Sequence, residues 1–206
     1  MKKLNLNDIK EIFRIISKKM DENRDYLVEL DSKAGDGDLG ISMSAGFRAV
    51  LESEAMEMDN FKRFFMNAGM AINEASPSSL GTIMFMGLLG GGKAIASCED
   101  LGSRELGEFF RGWADAIMTK TGSKAGEKTI LDAVLPGAEV LLSSDDLEDG
   151  IKKAYEASEK GMLSTKEMKA VHGRAAYYQE KSIGLQDGGA TVGMLLFQSI
   201  NEYING

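Results

Sequence analysis

Asp31, Asp36 and Asp38 fall within the eleven residues LDSKAGDGDLG, interleaved with Gly35, Gly37 and Gly40. A hard divalent cation takes oxygen ligands, and Mg²⁺ in particular is held by a few carboxylates together with substrate phosphates and water. The glycines allow a turn sharp enough to aim three carboxylates at one point. Without a cation, like charges so close repel one another. An EF-hand does not fit, because the twelfth position counted from Asp31 is Ser42 and from Asp36 is Phe47, where a bidentate Glu is required. The plain alternative is a solvated acidic turn whose Asp residues cap a helix, and both readings stand on composition alone.

Other chemistry-bearing residues are fewer. GLLGGGKA, Gly87 to Ala94, satisfies G-x₄-G-K, but Ala94 occupies the Ser/Thr place that would ligate Mg²⁺ and no buried strand precedes it. His172 is the single histidine, with nothing in the sequence to orient its ring, and no Ser/His/Asp or Cys/His set can be assembled. Nucleophilic catalysis by this chain is therefore not expected. Arg174 is a cation that cannot lose its proton, which suits a phosphate as well as a surface carboxylate.

These residues must be positioned by helices, since apolar residues recur at helical spacing and no convincing alternating strand is present. The pattern predicts helices near 6–19, 22–30, 41–57, 59–74, 79–97, 104–120, 128–143, 147–159, 165–180 and 190–204, with Pro136 kinking or tightening its helix. Gly-rich loops separate them: AGDGDLG, SPSSLG, TGSKAGEK and LQDGGA. Three of these run into helix starts, at Leu39–Ser42, Ser78–Ser79 and Gly188–Gly189. Free amides at a helix start favour anions, so these starts gathered at one end of a bundle would cradle phosphates.

The 206 residues suffice for one core and show no linker or composition break, so one domain, 1–206, is expected. A net charge of −8 with scattered Lys and Arg argues against a nucleic-acid partner. The N-terminus reads as an amphipathic helix and not as a signal or membrane segment, which predicts a cytoplasmic protein with no membrane partner. Cys98 stands alone and cannot form an internal disulfide.

Taken in order, DSKAGDGDLG, GEKTILDAVLP and GRAAYYQEKSIGLQDGGAT resemble GDGDHG, GDKTMLDALLP and GRASYLGERSIGHQDPGA of the nucleotide-binding (DhaL) subunits of dihydroxyacetone kinases. The likeness spans nearly the whole chain. It implies an all-α antiparallel barrel of eight helices, with ADP or ATP and two Mg²⁺ ions at its open end. It places the metal on Asp31, Asp36 and Asp38, and the phosphates against Leu39, Gly40, Ile41 and Ser42 and the Ser78–Ser79 turn. Gly122 and Ile130 fall on the adenine side, Arg174 on the late arginine, and Asp187, Gly188 and Gly189 on the last loop.

The same resemblance implies a phosphotransferase subunit, inactive alone, that passes a phosphoryl group to a small ketose or polyol held on a separate substrate-binding subunit. Bound ADP would be rephosphorylated by a phosphocarrier subunit of the phosphotransferase system, or exchanged for ATP; a homodimer is a further arrangement left open. Three departures stand out: Leu39 replaces His, Leu80 stands where Gly often follows the Ser pair, and Gly188 replaces Pro. They suggest a paralogue, and leave open a nucleotide-loaded regulatory module without turnover.

Overall fold

The computed structural model describes residues 2–206. Its α-helices are α1 (Leu6–Glu22), α2 (Arg24–Ser32), α3 (Leu39–Glu52), α4 (Phe61–Ala75), α5 (Ser79–Ala94), α6 (Ser103–Thr121), α7 (Leu131–Leu142), α8 (Leu147–Ser164) and α9 (Gly188–Asn205). Their starts are written in the sequence. Asn5 and Asp8 form a reciprocal capping box at α1, and the side chains of Ser78, Asp146 and Asp187 accept amide hydrogen bonds from Gly81, Asp149 and Ala190. Among the described residues no strand forms; an isolated bridge joins Leu4 to Leu101.

Eight helices close a ring. α1 packs on α3, α3 on α4, and so on through α9, which packs back on α1, while the short α2 lies against α3 and α9. α3, α5, α7 and α9, alternate members of the ring, all begin at one cleft, so neighbours run antiparallel as the family resemblance implies. Tyr203 donates to Asp8 at 2.5 Å and Lys19 pairs with Glu202 at 2.7 Å, fastening the last helix to the first.

Aromatic rings fill the barrel. Phe13 meets Phe64 edge-on at 5.0 Å, Phe65 tilts on Phe109 at 4.4 Å, and Phe110 stacks on Phe197 at 4.3 Å, linking α1, α4, α6 and α9 across the interior. The GLLGGGKA run lies inside α5 and forms no phosphate loop. Its glycines bring α5 against α6: a Cβ on Gly90 would stand 2.5 Å from the Gly112 carbonyl oxygen, and one on Gly91 2.6 Å from the Phe109 ring. Close packing thus offsets the helix-weakening cost of about 1 kcal/mol per glycine.

Two expected elements differ. The helix expected over 41–57 ends at Glu52, where Ser53 turns extended and its hydroxyl accepts from the Ala55 amide to start a 3-10 turn over Glu54–Glu57. The helix expected over 165–180 does not form. That stretch holds 3-10 turns at Thr165–Glu167 and Arg174–Ser182, with Gly173 at φ 65° and Gln179 at φ 50°, values an α-helix cannot contain. α7 continues unbroken through Pro136.

Candidate functional site

The cleft at the shared end of the helices has a volume of about 430 Å³. Asp31, in the last turn of α2, bends the following loop around itself: its Oδ2 accepts from the amides of Gly37 at 2.7 Å and Asp38 at 3.2 Å. Gly37 has φ 75°, the left-handed geometry that makes this reversal possible without strain. The loop thereby brings carboxylate oxygens of Asp31, Asp36 and Asp38 within 4.8 Å of one another. Partial burial raises the Asp38 pKa above its ordinary value, and the charges of Asp36 and Asp31 raise it further while Arg174 opposes them. An all-oxygen, like-charged, converging set is what a hard divalent cation requires, so these residues fit Mg²⁺.

The starts of four helices line the same cleft as the carboxylates. Ser78 and Ser79 line the cleft at α5, Thr129 and Ile130 at α7, and Asp187 to Gly189 at α9, while Leu39 opens α3. Leu39 is 8% exposed, and a Cβ on Gly188 would collide with its Cδ2. Two of the departures from the family motifs are therefore in contact, and each accommodates the other. Leu30, Leu80, Ile83 and Leu185 extend the apolar part of the lining.

The segment 165–187 forms one wall. Its feet meet where the Asp187 amide donates to Thr165 Oγ1 at 3.1 Å. Arg174, largely exposed, reaches across to Asp36 with Nη2 2.6 Å from Oδ2. The Asp187 carboxyl accepts from the Ala190 amide at 2.7 Å, and burial lifts its pKa to about 6 despite that bond. The residue keeps some exposed surface, but its carboxyl lies on the inner side, so the upward direction follows from lost solvation.

Asp31, Asp36, Asp38, Leu39, Ser78, Ser79, Ile130, Arg174, Asp187, Gly188 and Gly189 line this cleft. Gly40, Ile41, Ser42 and Gly122 are not in its lining. Gly40 packs tightly against the Arg24 carbonyl, Ile41 is half-exposed on the first turn of α3, Ser42 donates its amide to the Asp38 carbonyl at 2.8 Å, and Gly122 caps α6 at φ 73°.

Other lining residues escape a reading of the sequence. His172 does have an orienting partner: its Nε2 lies 2.6 Å from Glu127 Oε2. That bond, with one from the Lys124 amide, lowers the Glu127 pKa. Lys128 also lines the cleft though only 5% exposed. A cation beside a helix start opposes the helix dipole, and GEKT before an apolar helix carried that anomaly as a signal.

The DAK2 domain model matches residues 33–202. The PEP-dependent dihydroxyacetone kinase ADP-binding subunit DhaL of Escherichia coli is 32% identical over 181 residues, covering 85% of this chain and 86% of that protein. The PTS-dependent counterpart of Lactococcus lactis is 30% identical over 191 residues, covering 91% and 92%. The dihydroxyacetone kinase of Citrobacter freundii, solved in complex with AMP-PNP and Mg²⁺, superimposes with a TM-score of 0.75 at 19% identity, over 98% of this chain and 35% of that one. Its likeness is one of fold. With the motif order, the ring and these matches in agreement, the chain belongs to the DAK2-domain family and, within it, to the DhaL subunits.

Proposed function

We propose that this chain is the ADP/ATP- and Mg²⁺-binding subunit of a dihydroxyacetone-kinase-like phosphotransferase. The observation that carries the reading is the convergence of three carboxylates, with oxygens within 4.8 Å, on a cleft ringed by helix starts. Asp31, Asp36 and Asp38 would hold two Mg²⁺ ions. Bound there, the metal would neutralise phosphate charge so that positioning and electrostatics accomplish the transfer. The helix starts at Leu39–Ser42, Ser78–Ser79 and Gly188–Gly189 would receive the phosphates, and Arg174 would leave Asp36 for them. Gly122 and Ile130 would stand on the base side, Gly122 as the anchor of the loop at the end of α6.

The phosphoryl acceptor, in this reading, is a hydroxyl of a small ketose or polyol held on a separate substrate-binding subunit, without which the chain is inactive. The names of the two bacterial relatives, PEP- and PTS-dependent, support rephosphorylation of bound ADP by a phosphocarrier. We also place the protein in the cytoplasm and treat 1–206 as one nucleotide-binding unit; among the described residues no helix is long and apolar enough to cross a membrane.

A calorimetric titration of ADP into nucleotide-stripped protein tests the site. Binding that requires both Mg²⁺ and the Asp36 carboxylate, and is lost in Asp36→Asn, is expected; absence of heat in the unaltered protein would reject the reading. The contact between Leu39 and Gly188, at the place of a family His and Pro, favours one alternative: a nucleotide-loaded regulatory module without turnover. Phosphoryl transfer with a matching substrate subunit would exclude it.

A further inference from the structure

Lys128 carries a feature that the nucleotide reading does not use. Its Nζ lies 2.7 Å from the Thr165 carbonyl oxygen, 3.2 Å from Met168, 2.8 Å from Ser182 and 2.5 Å from Leu185. Four main-chain oxygens, from the two limbs of one loop, thus converge on a single ammonium. Among the described residues no carboxylate oxygen lies within 4.0 Å of it, so these carbonyls are its close compensation. An ammonium has three protons, and four acceptors around it form a cage of the kind that holds a monovalent cation by carbonyl oxygens.

The chain goes out of its way to present this side chain. Lys128 has φ 61°, a left-handed conformation that costs a β-carbon-bearing residue about 1 kcal/mol or more. Gly126 turns at φ 86° just before it, and the buried Asp132 accepts from the Gly126 amide at 2.5 Å and the Thr129 amide at 2.7 Å, locking the turn. Glu127, one residue earlier, grips the same loop from the other side through His172 and through its carbonyl, which accepts from the Val171 amide at 3.4 Å. Burial lowers the Lys128 pKa and the charge of Asp187 opposes that shift.

We propose that Lys128 is a positioning residue whose ammonium acts as a tethered internal cation: segment 165–187 folds around it, and it thereby sets where Arg174 and Asp187 stand in the cleft. Without that charge the four carbonyl dipoles face one another with no partner, and the loop has no reason to bring its limbs together. The effect on the loop is independent of what the cleft binds; the effect on nucleotide affinity rests on the function proposed above.

Hydrogen exchange of the 166–186 amides, measured on nucleotide-free protein, tests it with two variants. Lys128→Met keeps the length and removes the charge. Lys128→Gly fits the positive φ better than lysine and opens the cage to solvent cations. Both are expected to raise exchange in the loop roughly tenfold or more, and to weaken Mg²⁺-ADP binding by a similar factor, with helices α1 to α7 unchanged. K⁺ or ammonium should restore protection in Lys128→Gly, whereas tetramethylammonium at matched ionic strength should not, and neither should restore Lys128→Met. Wild-type protection in Lys128→Met, or a loss in Lys128→Gly that no small cation reduces, would overturn the proposal. If Lys128→Gly does not fold, Lys128→Met decides alone. Failure of the unaltered protein to bind ADP would remove the nucleotide reading while leaving the exchange and rescue results to judge the loop.

Discussion

Asp187 joins two demands on one carboxylate, since it caps α9 and lines the cleft in poorly solvated surroundings. Its pKa of about 6, against an ordinary 3.8, means the folded protein binds this proton more tightly than the unfolded chain. The resulting stability is complete below the unfolded value and is lost as pH rises through about 6. Asp187→Asn keeps the cap acceptor and removes the titration. Compared with the unaltered protein in denaturant melts, without metal or nucleotide, it should gain about 2 kcal/mol between pH 4 and pH 7. A second prediction concerns Leu39 and Gly188. Gly188→Ala places a methyl into Leu39 and should cost about 1–3 kcal/mol, and Leu39→Ala in the same chain should recover part of that loss, a coupling that a double-mutant cycle of melting free energies reads directly. The three aspartates were legible in sequence because Gly between carboxylates has a chemical meaning over eleven residues. Lys128, Glu127 and His172 were not, because their partners lie 37 to 57 residues away and include main-chain carbonyls, which every residue possesses.

At the scale of elements, periodicity located the helices whose apolar faces meet the core, with boundaries set by caps such as Asn5, Ser78 and Asp187. It failed over 165–180, where MKAVHGRAAYYQEKS has helix-forming residues but its carbonyls turn inward to Lys128 and its Gly173 and Gln179 take positive φ. Local propensity there is overridden by a distant charge. The glycines of α5 show the reverse case, in which a weak helix sequence is held by its neighbour. Gly90→Ala should raise intrinsic helix propensity by about 1 kcal/mol, yet the methyl would stand 2.5 Å from both the Gly112 oxygen and the Ala116 Cβ. We expect the clash to dominate, with a net loss of about 1–2 kcal/mol and a lower midpoint in thermal melts. A stabilised variant would show that the α5–α6 contact yields easily.

For the whole molecule, the closed ring makes each helix a neighbour of two others, and α9 supplies the last wall. Val192, Leu195, Phe197 and Ile200 of α9 are buried, and Phe197 stacks on Phe110. A chain ending at residue 187 should therefore lose cooperative unfolding and expose apolar surface, read as loss of the near-ultraviolet signal of the buried Trp113 together with binding of a hydrophobic dye. Ring closure was legible only through the family resemblance, since no pattern within α1 states that its partner begins 182 residues after its own start. The closing pair has one more consequence. Lys2 donates to the Ile204 carbonyl at 2.8 Å, so the segment leading into α1 and the last turn of α9 lie side by side, at the opposite end of the barrel from the cleft. A fold whose first and last helices meet away from its mouth leaves that mouth clear of the chain on either side, and the same fold makes up about a third of the longer Citrobacter freundii chain.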